Sequence, residues 1–136
     1  MHQIKLNFNT SGKQLLEITN YLLAEINKLE LPKVGMLNLF IPHTSASLVI
    51  QENADPSARE DLIDFYERLA PDNQDWHRHT AEGSDDTTAH MRSSLGSTSL
   101  NIPIHQGKLG LGIWQGIYIF EHRKGAHRRS LISTIW

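Results

Sequence analysis

Apolar and polar residues alternate at the start of the chain. Ile4, Leu6 and Phe8 stand against Lys5, Asn7 and Asn9, the period-two pattern of a half-buried strand. Ser11-Gly12-Lys13-Gln14 then reads as a capping box, with the Ser11 hydroxyl taking an orphan amide and Gln14 reaching back. Leu15, Ile18, Leu22, Ile26 and Leu29 follow at helical spacing. Pro32 ends that helix, because the residue before a proline is pushed out of the helical region. The short apolar run from Met36 to Ile41 predicts a buried strand, and Ser45 to Gln51 another, with Pro42-His43-Thr44 at the junction. Asp55-Pro56 supplies an N-cap acceptor and a first-turn proline for a second helix, whose predicted buried face is Ala58, Leu62, Phe65 and Leu69. Pro71 closes it.

From Asp72 to Asp86 the chain is polar and aperiodic, the kind of long connection that is usually functional or disordered. Thr88 to Arg92 predicts a short helix. Leu100, Ile102 and Ile104 restore the β pattern, and His105-Gln106-Gly107-Lys108 predicts a turn. Leu109 to Arg123 and Arg128 to Trp136 read as two further strands around a turn at Gly125. The pattern amounts to a β-rich α+β domain with two main helices and one short one. At 136 residues this is one domain, since two halves would each be near the size where a core fails.

Composition narrows the chemistry. There is no cysteine, which excludes disulfides, thiolate nucleophiles and Cys-ligated metal centres. The formal charge is −2 and the pI about 6.4, which argues against a duplex nucleic-acid partner. The first residues carry no apolar signal-peptide core, and no run approaches the roughly 18 to 20 apolar residues of a membrane span. The expected location is therefore the cytoplasm, with no membrane partner. Eight histidines are the unusual feature: protonating all of them would carry the charge from −2 to +6.

Four of those histidines stand apart. His43 lies where a hydrophobic strand gives way to Thr44-Ser45-Ala46-Ser47, and His77 and His79 lie in the long polar loop near Glu82, Asp85 and Asp86. His90 follows Asp86 by four residues, so both share one face of a short helix. A carboxylate beside an imidazole fixes the tautomer that a metal-bound histidine needs. Without cysteine any ion must take nitrogen and oxygen ligands, a set that suits Zn, Fe, Mn, Ni or Co. The spacing matches no compact motif, and ordinary loop histidines are an equal reading. A serine nucleophile beside His43 lacks the Gly-x-Ser-x-Gly elbow. The glycines between Leu109 and Ile117 sit in apolar alternation without a following helix, so they predict close strand packing and not a phosphate cradle.

Ordered motifs then resemble a known family. His43-Thr44-Ser45-Ala46-Ser47-Leu48 and Glu52-Asn53-Ala54-Asp55-Pro56 are followed by Arg78-His79-Thr80, Glu82-Gly83, Asp85-Asp86 and Ala89-His90-Met91. Gly112-Ile113-Trp114-Gln115-Gly116-Ile117-Tyr118 and Glu121-His122-Arg123 complete the series. Together they resemble the YjbQ-like proteins, also called the secondary thiamine-phosphate synthase family, over nearly the whole chain. In Ser94-Leu95-Gly96-Ser97 the glycine comes one residue earlier than the family tends to place it.

The resemblance implies a small α+β domain with a mixed or antiparallel sheet, assembled as a homotrimer. It implies a divalent metal ion, zinc before Mg, Mn, Fe, Ni or Co, held by His43, His79 and His90 near a subunit boundary. The implied activity joins a hydroxymethylpyrimidine diphosphate to a thiazole phosphate and releases pyrophosphate, so the expected partner is a small phosphorylated substrate. Glu52, Asp86 and Glu121 fall in matched motifs and could orient ligands or move a proton. Thr44, Ser45, Gln115 and Arg123 are the corresponding substrate-binding candidates, with Arg128-Arg129 as possible further helpers at a charged leaving group. A site of three histidines with an open position equally suits a hydrolase of a small ester or phosphate. A trimeric metal-binding protein without turnover is the third reading.

Overall fold

The computed structural model describes all 136 residues. Strands β1 (His2–Ser11) and β2 (Gln14–Glu17) precede helix α1 (Thr19–Ile26). Strands β3 (Val34–Phe40) and β4 (Ala46–Glu52) lead into helices α2 (Pro56–Leu69) and α3 (Asp86–Leu95). Strands β5 (Ser99–His105), β6 (Lys108–Leu109), β7 (Gln115–Glu121) and β8 (Ala126–Ile135) complete the chain. All pairings are antiparallel, in a five-stranded sheet of order β1-β8-β3-β5-β6 and a three-stranded sheet of order β2-β7-β4. The fold is α+β, as the pattern predicted. No helix is long and apolar enough to cross a membrane.

The core lies between the sheets. Leu37, Leu39, Ile102, Ile104, Leu131 and Ile135 of the larger sheet meet Leu48, Ile117 and Ile119 of the smaller one, with Ile18, Leu22 and Ile26 of the α1 segment beside them. The other face of β7 is also buried, because α2 lies over it: Tyr66 packs edge-on against Phe120 with ring centroids 4.7 Å apart, and Arg59 donates to the Tyr118 hydroxyl. A strand covered on both sides should be apolar at every position, and Ile117 to Phe120 is.

Three local expectations are corrected. Gln14 does reach back to accept from the Ser11 amide at 2.7 Å, but the contact closes a turn through Gly12 (φ 96°) between β1 and β2, not a helix start. Residues 14–17 pair with β7, so the helix begins only at Thr19 and ends at Ile26, before Leu29. In α2 the packed stripe is Arg59, Leu62, Ile63 and Tyr66, while Phe65 and Leu69 are exposed, because Tyr66 is drawn onto Phe120 and His122. The stretch from Leu109 to Arg123 is not one strand: residues 110–114 form a loop closed by Gly112 N–H donating to Gln115 Oε1 at 2.7 Å. Gly116 is where close packing is needed, since a Cβ there would stand 2.7 Å from Glu17 Oε2.

Candidate metal centre and cleft

The long polar connection is ordered by charge. Arg92, wholly buried, donates twice to the Ala70 carbonyl and once to Glu67, while Lys13 holds Glu67 and Asp72. Arg123 reaches the far end of the same segment. Its guanidinium donates to Asp85 Oδ2 (2.9 Å), Asp86 Oδ1 (2.8 Å) and the Glu82 carbonyl (3.1 Å). Those contacts fix the start of α3, whose first residue is Asp86.

Asp86 and His90 share one face of α3, and His79 comes across from the loop. Asp86 Oδ2 lies 2.7 Å from His79 Nε2 and 3.1 Å from His90 Nε2. The three side chains thus offer two nitrogens and an oxygen within 4.8 Å of one another. Asp86 is 2% exposed. Burial would raise its pKa, yet the His79 hydrogen bond and the His90 and Arg123 charges hold it below the usual carboxylate value. Asp85 is lowered in the same way, burial being outweighed by its bonds from Arg123 and the Lys124 amide.

This donor set fits a divalent ion. His90 Nδ1 is 2.9 Å from the Thr44 carbonyl, an acceptor, so Nδ1 carries the proton and donates it. Nε2 is thereby turned towards Asp86 and His79, the orientation that a backbone carbonyl gives a metal-bound imidazole, and a bound ion would take the place of a proton there.

His43 stands elsewhere in the same region. A cleft of about 470 Å³ is lined by His43, Thr44, His90, Ser93, Ser94 and Thr98. The His43 ring, however, completes the larger sheet. β3 stops pairing with β8 at Phe40↔Ile132, and His43 Nε2 accepts from the next inward amide, Ser130 N–H, at 2.9 Å. That bond leaves the proton on Nδ1. Burial, followed by the positive charge of Arg129, lowers the His43 pKa and keeps the ring neutral. The structure therefore groups Asp86, and not His43, with His79 and His90.

The remaining candidates separate into two places. Glu121 is wholly buried and accepts five bonds: from Thr10 Oγ1, Arg129 Nε and Nη2, and the amides of His122 and Arg123. It anchors Arg129 and has no oxygen free to move a proton. Ser45 lies against the same arginine, its carbonyl and hydroxyl both accepting from Nη2. Glu52 and Gln115 pair with each other at the far end of β4, about 20 Å along the strand from Ala46. There the Glu52 carboxylate accepts from the Ala54 and Asp55 amides, and Gln115 closes its own loop. Arg123 binds aspartates and does not line the cleft.

Other histidines have structural partners. His122 is buried on Ser47 Oγ at 2.8 Å and stacks on Tyr66. His77 accepts from the Gln74 amide and meets Trp76 edge-on. Gly96 sits at its own position for a steric reason: a Cβ there would fall 2.7 Å from Ser47 Oγ. The Arg129–Glu121 pair was visible as parity in the sequence. Arg129 precedes Leu131, Ser133 and Ile135 at steps of two, and Glu121 follows Ile117 and Ile119, so both charges fall on inward-facing positions that demand a partner.

A family model described as UPF0047 protein YjbQ-like matches residues 2–136. A UPF0047 protein of Synechocystis is 45% identical over 131 residues, covering 96% of this chain and 88% of that one. UPF0047 protein YjbQ of Escherichia coli is 37% identical over 134 residues, covering 98% and 96%. Among solved structures, an uncharacterised conserved protein of the YjbQ/UPF0047 family from Clostridium acetobutylicum superposes with a TM-score of 0.87 at 34% identity, covering 98% of this chain and 99% of the other.

Proposed function

The chain belongs to the YjbQ-like UPF0047 family, and from that premise we propose that it is a divalent-metal-dependent transferase acting on small phosphorylated substrates. The observation that carries the reading is the His79–Asp86–His90 group at the edge of the cleft, with His90 turned by the Thr44 carbonyl. The reaction is that of a thiamine-phosphate synthase. The thiazole nitrogen lone pair forms a C–N bond to the pyrimidine methylene as the C–O bond breaks, and the electron pair leaves with pyrophosphate. A bound divalent ion, zinc foremost, would neutralise the charge developing on that leaving group.

The chain supplies placement. Arg123 holds Asp86 by one oxygen and leaves the other facing the two imidazoles, and the Thr44 carbonyl sets the His90 tautomer. Because the new bond takes a lone pair and releases no proton, no general base is required. That agrees with the commitments of the buried carboxylates: Glu121 is bonded to Thr10, Arg129 and two amides, and Asp86 to Arg123 and the two imidazoles. We propose further that three copies form the working assembly.

Elemental analysis of protein purified without chelator is expected to give about one divalent ion per chain, lost in His79→Ala and His90→Ala. In Asp86→Asn, affinity should fall roughly 10- to 100-fold. Unchanged metal content in all three variants overturns the site. Pyrophosphate release that requires the thiazole phosphate identifies the transferase, whereas release of phosphate or pyrophosphate without it identifies a hydrolase. Light scattering that shows a monomer at every concentration overturns the trimer.

A further inference from the structure

Beside the His79–Asp86–His90 group several hydrogen-bond donors without a partner in the chain border one cleft. Arg129 is 5% exposed, and its Nε and Nη2 are committed to Glu121 and Ser45, but Nη1 makes no hydrogen bond. It borders a second cavity of about 460 Å³ lined also by His43, Thr44, Ser45 and Thr98, which shares His43, Thr44 and Thr98 with the first. The two cavities are therefore adjoining parts of one cleft. His43 must carry its proton on Nδ1, since Nε2 accepts from Ser130. The amides of Thr44 and Ser45 donate to nothing in the chain, nor do the Thr44 and Thr98 hydroxyls. Ser45 Oγ accepts from Arg129 and so keeps its own hydrogen to give. Thr44 and Thr98 are exposed along the cleft, so their donors are open to whatever enters it.

We propose that this end of the cleft is a phosphoryl-binding subsite, in which Arg129 Nη1, the Thr44 and Ser45 amides and the Thr98 hydroxyl hold the oxygens of a phosphate monoester or a terminal diphosphate. The inference deepens the reading of a phosphorylated substrate and rests on it for the nature of the ligand. Its chemistry is a convergence of backbone and guanidinium donors on an anion. Glu121 neutralises the net charge of Arg129, so the subsite selects by donor geometry more than by field. Arg123 and Lys124 take no part, being held by Asp85, Asp86 and Asp72.

The test is a titration of the full-length, chelator-treated protein with inorganic phosphate, followed by two-dimensional NMR of amide and arginine side-chain signals. Saturable shifts are expected at the Thr44 and Ser45 amides and at the Arg129 guanidinium, absent with potassium chloride at equal ionic strength. Arg129→Lys should weaken binding roughly 10- to 100-fold, as loss of a charge-assisted bond does. That variant could fail to fold around Glu121, so Thr98→Val, at an exposed position, serves beside it, with an expected weakening of roughly 2- to 10-fold. Titration with acetate should be weaker than with phosphate. No saturable shift at Thr44 and Ser45, shifts reproduced by chloride, equal affinity for acetate, or unaltered binding in Thr98→Val overturns the subsite. Because ion is removed throughout, phosphate binding can succeed where the metal reading fails, and the reverse.

Discussion

His122 should make the protein lose stability well before its carboxylates titrate. The imidazole is wholly buried between Tyr66 and Phe120, with Nε2 on Ser47 and no hydrogen-bond partner for Nδ1. Burial first, and the Arg92 charge second, push its pKa from 6.5 down to about 3. The unfolded chain therefore binds a proton at this residue below about pH 6.5, whereas the folded chain does not until about pH 3. In that window each pH unit removes about 1.4 kcal/mol, so at pH 5.0 the loss from this one group is about 2 kcal/mol relative to neutral pH. The lowered carboxylates Asp85, Asp86 and Glu121 act in a separate range. Their stabilisation is complete above the unfolded carboxylate pKa and is lost only as pH falls through the lower folded values. His43, also lowered, adds to the upper window in the same direction as His122.

Urea unfolding at pH 7.5 and 5.0, at one protein concentration, measures the effect directly. In His122→Gln, whose amide can still meet Ser47, the pH-dependent loss should shrink by about 2 kcal/mol. An identical loss in wild type and variant would refute the reasoning, as would an NMR titration of His122 with a midpoint near 6.5.

Glu121→Gln tests the ion pair. Leaving Arg129 buried without its counter-charge should cost about 3 to 5 kcal/mol in denaturant unfolding, and unchanged stability would show that the pair does not anchor the fold. Gly96→Ala should destabilise by about 1 to 3 kcal/mol, because the new methyl meets Ser47 Oγ and Cβ, at 2.7 and 2.8 Å; an unaltered melting temperature would contradict that close approach.

Legibility in the sequence followed the strength of the local signal. Strands such as β3, β5 and β8 were readable because they bury a face or two, and Asp55-Pro56 marked α2 without tertiary help, its carboxylate accepting from the Ser57 amide. Gln14–Glu17 was misread because Leu15 and Leu16 satisfy a helical stripe as readily as a strand, and only pairing with β7 decides. The stripe on α2 was ambiguous for a similar reason, as Phe65 and Tyr66 are both aromatic neighbours and the position of Phe120 chooses between them. Around the cleft, the spacing of four put Asp86 and His90 on one helix face, as α3 has them, while the approach of His79 to Asp86 rests on the path of the loop. The bond from Ser130 to His43 was not legible, since it depends on where β3 parts from β8, a matter of register that no short motif encodes.

That parting gives β8 an amide whose acceptor is a side chain. Every neighbouring rung of β8 against β3 is backbone to backbone, but Ser130 N–H ends on the His43 ring. Its solvent hydrogen exchange is thus a gauge of the imidazole. Any occupant that claims Nε2 must first release this proton donor, and Ser130 would then exchange quickly within an otherwise protected strand. An occupant that engages only Nδ1 would leave it slow. A single backbone position reports which edge of His43 a bound molecule uses, with no label placed in the cleft itself.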